Sequence, residues 1–139
     1  MEIFESLDKE QAKVMQPLVL AMIGDSVHSL FVRTFIAKTN PVKVNKMNKL
    51  VSSVVCAGEQ FKTFKKIEPF LTEEEQDIAR RARNSHVHTK AKNFSYTEYI
   101  YATAFEALLG YHYVTGNTKR LNELLNYSLD AIQENSQKV

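Results

Sequence analysis

The chain has 139 residues, 44% of them apolar and 24% charged, and a formal net charge of +2. This is the length and composition of one soluble globular domain with a real core, and the small net charge means that any nucleic-acid footprint must come from clustering rather than from totals. A single cysteine, Cys56, excludes an internal disulfide and suits a reducing cytoplasm; with only four histidines beside it, no zinc-type cluster can be assembled from Cys and His alone.

Proline and glycine are few, β-branched alternation is nearly absent, and a 3.6-residue period recurs, which predicts an all-α domain. Asp8 with Gln11 has the capping-box spacing and opens a short helix that stops before Pro17. The early acids Glu2, Glu5 and Asp8 do not fit a secretory leader. Pro17 suits the first turn of a central helix running to about Ala37. From Leu18 to Arg33 this helix is apolar on nearly all sides, so it belongs in the middle of the domain. Asp25, His28 and Arg33 interrupt the run, which excludes a membrane span. Asn40-Pro41 signals the next start. Met47, Leu50, Val51, Val54, Val55, Phe61 and Phe64 then mark the buried face of one long helix ending before Pro69. Lys43, Lys46 and Lys49 lie on its solvated face, and Cys56, after a run of valines, reads as a small core residue.

Thr72 with Glu75 forms a second capping box, with Glu73 and Glu74 complementing the dipole of a short helix that ends near Asn84. The stretch from Arg80 to Lys92 carries Arg80, Arg81, Arg83, Lys90 and Lys92, plus His86 and His88, and no acid. Ser95 with Glu98 is a third capping box, opening a long helix with Tyr99, Ala102, Phe105, Leu109 and Tyr113 that ends by Gly116. Asn117 or Thr118 caps the last helix, whose apolar positions are Leu121, Leu124, Leu125, Leu129 and Ile132. The polar tail from Glu134 is expected to fray. No repeat or linker divides the chain, so a single domain over residues 1–139 is expected.

Two acids stand out. Asp25 shares a helical stripe with Leu18, Met22, Val32 and Ile36, and a carboxylate there needs a cation, a donor or a function. It either caps a second helix after a break at Gly24, pairs with an arginine from elsewhere, or serves a site. Glu106 has Ala102, Leu109 and Tyr113 at helical spacing and carries the same choice between an arginine partner and a site. If the two helices pack, these like charges meet and cannot both stay ionised without a cation between them. Bundle cores that bind metal are built from acids on facing helices, and oxygen-only ligands select a hard ion, Mg2+ or Mn2+. Gly24, Ala21, Ala102, Ala107 and Gly110 leave room for close approach or a bound group. The basic stretch reads either as solvated surface or as a set of phosphate contacts. His28 reads as a satisfied or exposed histidine. A divalent ion beside a phosphate-binding surface points to phosphodiester chemistry on a nucleic acid.

The segments Ile23-Gly24-Asp25-Ser26-Val27 and Phe105-Glu106-Ala107-Leu108-Leu109-Gly110, with Arg83-Asn84 between them, resemble a ribonuclease III domain. The likeness is greater to the mini-ribonuclease III branch, which consists of the catalytic domain without a double-stranded-RNA-binding domain. The resemblance implies an all-helical homodimer that accepts double-stranded RNA, cuts one strand at each of two sites, and leaves 5′-phosphate and 3′-hydroxyl ends. It implies Asp25 and Glu106 as catalytic metal ligands, Mg2+ as cofactor with Mn2+ substituting, and precursor large-subunit (23S) ribosomal RNA as substrate in bacterial cytoplasm. Full-length ribonuclease III enzymes carry further acids where this chain has Leu18, Ala21 and Thr103, and the mini branch shares that thinning. Without an RNA-binding domain the catalytic body must hold the duplex itself, which makes Arg80, Arg81, Arg83, Lys90 and Lys92 the expected phosphate contacts. Tyr96, Tyr99 and Tyr101 are the expected dimer surface. Two other readings compete with the nuclease: a non-catalytic RNA- or ribosome-binding helical protein, and a structural helical dimer whose Asp25 and Glu106 pair with buried arginines.

Overall fold

The computed structural model describes residues 5–86 and 94–132, with only the backbone at 94 and 95. Among the described residues the α-helices with defined bounds are, in order, α1 (Lys9–Lys13), α2 (Pro17–Thr39), α3 (Val44–Val55), α4 (Ala57–Ile67), α5 (Glu73–Asn84), α6 (Phe94–Val114) and α7 (Thr118–Tyr127), with a 3-10 turn over Glu68–Phe70. There is no strand among the described residues, so the all-α expectation holds.

The capping chemistry read from the sequence forms at three helix starts. Asp8 and Gln11 exchange side-chain and backbone hydrogen bonds at α1, and Thr72 and Glu75 do the same at α5. Asn117 caps α7, accepting from the Arg120 amide at 3.3 Å. The third predicted box does not stand where expected: α6 already includes Phe94, so Ser95 lies within the helix rather than at its cap.

Helices α2 and α6 form the central pair, with α4 and α5 on the other sides of α6 and α3 against α2. The main core joins Leu20, Phe64, Ile78, Phe105, Leu108 and Leu124; a second cluster joins Val32, Ile36, Leu50, Val51, Val54 and Ile132. By length and composition α2 is long and apolar enough to cross a membrane. It is instead laid along α6, and glycines make that contact possible. A Cβ on Gly24 would stand 1.7 Å from the Glu106 carbonyl oxygen, and one on Gly110 would stand 1.9 Å from that of Leu20. The two backbones therefore touch at a reciprocal pair of glycines.

Three expectations need correction. Helix α2 runs unbroken through Gly24, so Asp25 caps nothing. The stripe assigned to Asp25 is not uniformly buried: Val32 and Ile36 are, but Leu18 and Met22 are 40% and 66% exposed, and Asp25 is itself exposed. The single helix expected before Pro69 is two helices. Cys56 takes an extended conformation, φ −68° and ψ 157°, ending α3 and starting α4. The break lets α3 serve α2 while α4 turns onto α6, and it puts Cys56 at the surface instead of in the core.

Candidate active site

The glycine crossing places the two acids. Asp25 follows Gly24 on α2, and Glu106 is the residue whose carbonyl Gly24 meets on α6. Their carboxyl groups come into hydrogen-bonding contact. They line an open hollow of about 340 Å3 together with Leu18, Ala21, Met22, His86, Tyr99 and Thr103. Burial, reinforced by the hydrogen bond and negative charge of Asp25, pushes Glu106 up to about 8; a donor from Gln60 acts in the opposite direction. Among the described residues, neither acid forms an ion pair with a lysine, arginine or histidine. The arginine-paired structural dimer therefore finds no support in the geometry. No third His, Cys, Asp or Glu joins the pair among the described residues. Two carboxyls converging on one hollow, with no counter-cation among the described residues, form an oxygen donor set that fits one hard divalent ion.

Behind Glu106 lies a polar pair that sequence reasoning missed. Gln60 of α4 and His28 of α2 are 3% and 1% exposed. The Gln60 amide nitrogen is 3.0 Å from His28 Nδ1 and 3.5 Å from Glu106 Oε2. The sequence predicts a satisfied or exposed His28; it is instead buried edge-on against Phe105, and its Nε2 has no hydrogen-bond partner among the described residues. Burial, opposed by the nearby Asp25 charge, lowers His28 to about 4 and keeps it neutral near pH 7. The available signal was Gln60 itself, an amide in line with buried Phe64 and Ile67 on an amphipathic helix.

On the other rim Thr103 donates its hydroxyl proton to the Tyr99 carbonyl at 2.9 Å. Its oxygen then accepts from His86 Nε2 at 3.0 Å, which fixes the proton on that nitrogen. Burial lowers the His86 pKa.

The basic residues are less free than the acid-free stretch suggested. Arg80 pairs with Asp77, and Arg81 donates to the Lys13 carbonyl at 3.1 Å and lies 4.0 Å from Asp77. The Arg83 guanidinium carbon lies 5.1 Å from the centre of the Tyr101 ring, and Lys65 Nζ lies 4.3 Å from the same ring. Lys65, on α4, had no place in the sequence reading. Lys90 and Lys92 fall outside the described residues. Of the expected dimer tyrosines, Tyr99 is 55% exposed, whereas Tyr101 packs on Phe61 and Phe64 within the chain.

Residues 18–117 match the Ribonuclease III domain family. Mini-ribonuclease 3 of Thermoanaerobacter sp. (strain X514) is 43% identical over 96% of this chain and 94% of its own length. That of Clostridium tetani is 39% identical over 96% and 89%. Among solved structures, protein FN1578 of Fusobacterium nucleatum superposes with a TM-score of 0.74 at 28% identity, covering 84% of this chain and 93% of that one. Fold and matches together define an endoribonuclease of the ribonuclease III type, a family that acts on double-stranded RNA and is generally dependent on divalent metal. Within it, the chain belongs to the mini-ribonuclease III branch.

Proposed function

We propose that this protein is a single-domain, Mg2+-dependent endoribonuclease that cuts double-stranded RNA at Asp25 and Glu106. The convergence of these two acids on one hollow, with no lysine, arginine or histidine paired to either among the described residues, is the observation that carries the reading. Both acids would hold the ion, with Mn2+ able to substitute. When bound, such an ion supplies an activated water and charge stabilisation for in-line attack on a phosphodiester, leaving 5′-phosphate and 3′-hydroxyl ends.

The chain's own part is positional. The Gly24–Gly110 crossing fixes the separation of the carboxyls, and the hollow in front of them is open enough to admit a backbone phosphate. Arg83, with Arg80, Arg81, Lys90 and Lys92, supplies phosphate contacts along the duplex. Leu18, Met22 and Tyr99 are exposed apolar side chains beside the acids. They support the homodimer, in which two sites would face the two strands of one duplex. Precursor 23S ribosomal RNA in the cytoplasm is the proposed substrate, on the strength of the mini-ribonuclease III resemblance. The rival reading, a non-catalytic RNA-binding protein of the same fold, predicts no cleavage with any divalent ion. Purified protein incubated with a long RNA duplex should cut in Mg2+ and not in EDTA; an intact duplex in both, and in Mn2+, would favour the rival.

A further inference from the structure

The pairing of Gln60 with His28 behind Glu106 is costly unless it serves something. It places two polar side chains in the core and leaves His28 Nε2 without a hydrogen-bond partner among the described residues. An apolar pair would fill the same volume without that penalty. Both acceptors around the Gln60 amide call for the nitrogen, not the oxygen, at this position. His28 Nδ1 lies at 3.0 Å and Glu106 Oε2 at 3.5 Å from the same Nε2. One amide nitrogen carries two hydrogens, so each acceptor can receive one. Turning the amide over would take the N–H donor away from Glu106 Oε2. With the amide nitrogen set towards Glu106, His28 Nδ1 is its acceptor and holds the amide in the orientation Glu106 needs.

Resting on the metal-site reading above, we infer that Gln60 is a positioning residue: with His28 holding its amide, it orients the Glu106 carboxyl so that the other face meets Asp25 and an incoming divalent ion. The bond to Glu106 is slack at 3.5 Å. Partners of this kind behind a metal ligand are worth roughly 10- to 100-fold in metal affinity or activity.

The test uses two variants of the full chain. His28→Phe alone keeps the Gln60 donor but frees its amide to turn, and is expected to weaken Mn2+ binding by no more than the double variant does. His28→Phe/Gln60→Met removes both buried polar groups together, so no orphan is left to unfold the core. Mn2+ binding, read from the free-ion electron paramagnetic resonance signal, should weaken roughly 10- to 100-fold in the double variant. Its melting temperature and its duplex-RNA binding should stay near native, and raised Mg2+ should recover much of the lost cleavage rate. A double variant that folds and binds Mn2+ as native does would overturn the inference, as would no loss in His28→Phe alone. Native protein that neither binds Mn2+ nor cuts duplex RNA would overturn the metal-site reading, and this inference with it. Native protein that does both while the double variant matches it overturns the inference alone.

Discussion

At the residue scale the site is defined by a repulsion the fold does not relieve. Glu106 is pushed up to about 8 by burial and by Asp25, so the folded protein prefers it protonated. A carboxyl raised above its unfolded value contributes stability that is full below about 4.5 and lost as pH rises through about 8. Melting in EDTA should therefore show Asp25→Asn and Glu106→Gln more stable than native at pH 8, by roughly 4 °C for each kcal/mol relieved. The gain should disappear near pH 5, and added Mg2+ should stabilise native protein but not the variants. Equal melting of native and variants at both pH values would count against the contact. Glu75 has the opposite sign. Burial would raise it, but bonds from His112 at 2.7 Å, Arg120 at 2.8 Å and the Thr72 amide at 2.9 Å hold it well below the usual carboxylate range. Its contribution is present above the ordinary value and lost as pH falls through the depressed one. Glu75→Gln should cost about 3 kcal/mol in denaturant melts at pH 7, because Arg120 loses its buried partner. A change below about 0.5 kcal/mol, the range of ordinary surface substitutions, would contradict this.

At the scale of elements, the chemistry depends on how closely α2 and α6 cross. A methyl group at Gly24 would fall 1.7 Å from the Glu106 carbonyl oxygen, and helix backbone cannot move aside cheaply. Gly24→Ala should destabilise the protein by about 3 kcal/mol or more and abolish cleavage, whereas Ser26→Ala on the exposed side of α2 should do neither. Stability measured by urea unfolding checks both. Much of this level was legible in the sequence. Capping boxes at Asp8 and Thr72 and the period of α2 and α6 are local signals, and local signals place helices. The division at Cys56 was not legible, because no proline or cap residue marks it; α4 turns there to pack on α6, and tertiary packing sets such a break. The two acids were legible as anomalies on apolar helices, although the exposure of Asp25 was not, since periodicity cannot say which neighbours cover a stripe. The pairing of Gln60 with His28 was missed because it joins residues 32 apart in the chain.

At the scale of the whole molecule, the ribonuclease III domain would meet a duplex mostly through the RNA backbone. Arg83 and Lys65 share the Tyr101 ring, but Lys65 also pairs with Glu68 at 3.3 Å, as Arg80 does with Asp77. Neutralising Lys90 and Lys92, or Arg83, should weaken duplex binding and flatten its salt dependence, by roughly 0.9 in slope for each phosphate no longer neutralised. Filter binding across a salt series measures this, and unchanged slopes would remove those residues from the RNA surface.

One divalent ion held jointly by Asp25 and Glu106 is what the proposed chemistry depends on. The most direct measurement is cleavage of a long RNA duplex by native protein and by Asp25→Asn, with duplex binding and melting followed on the same samples. Native protein should cut in Mg2+ and stop in EDTA, while the variant folds and binds RNA but does not cut. A variant that still cuts at the native rate would contradict the shared-ion site.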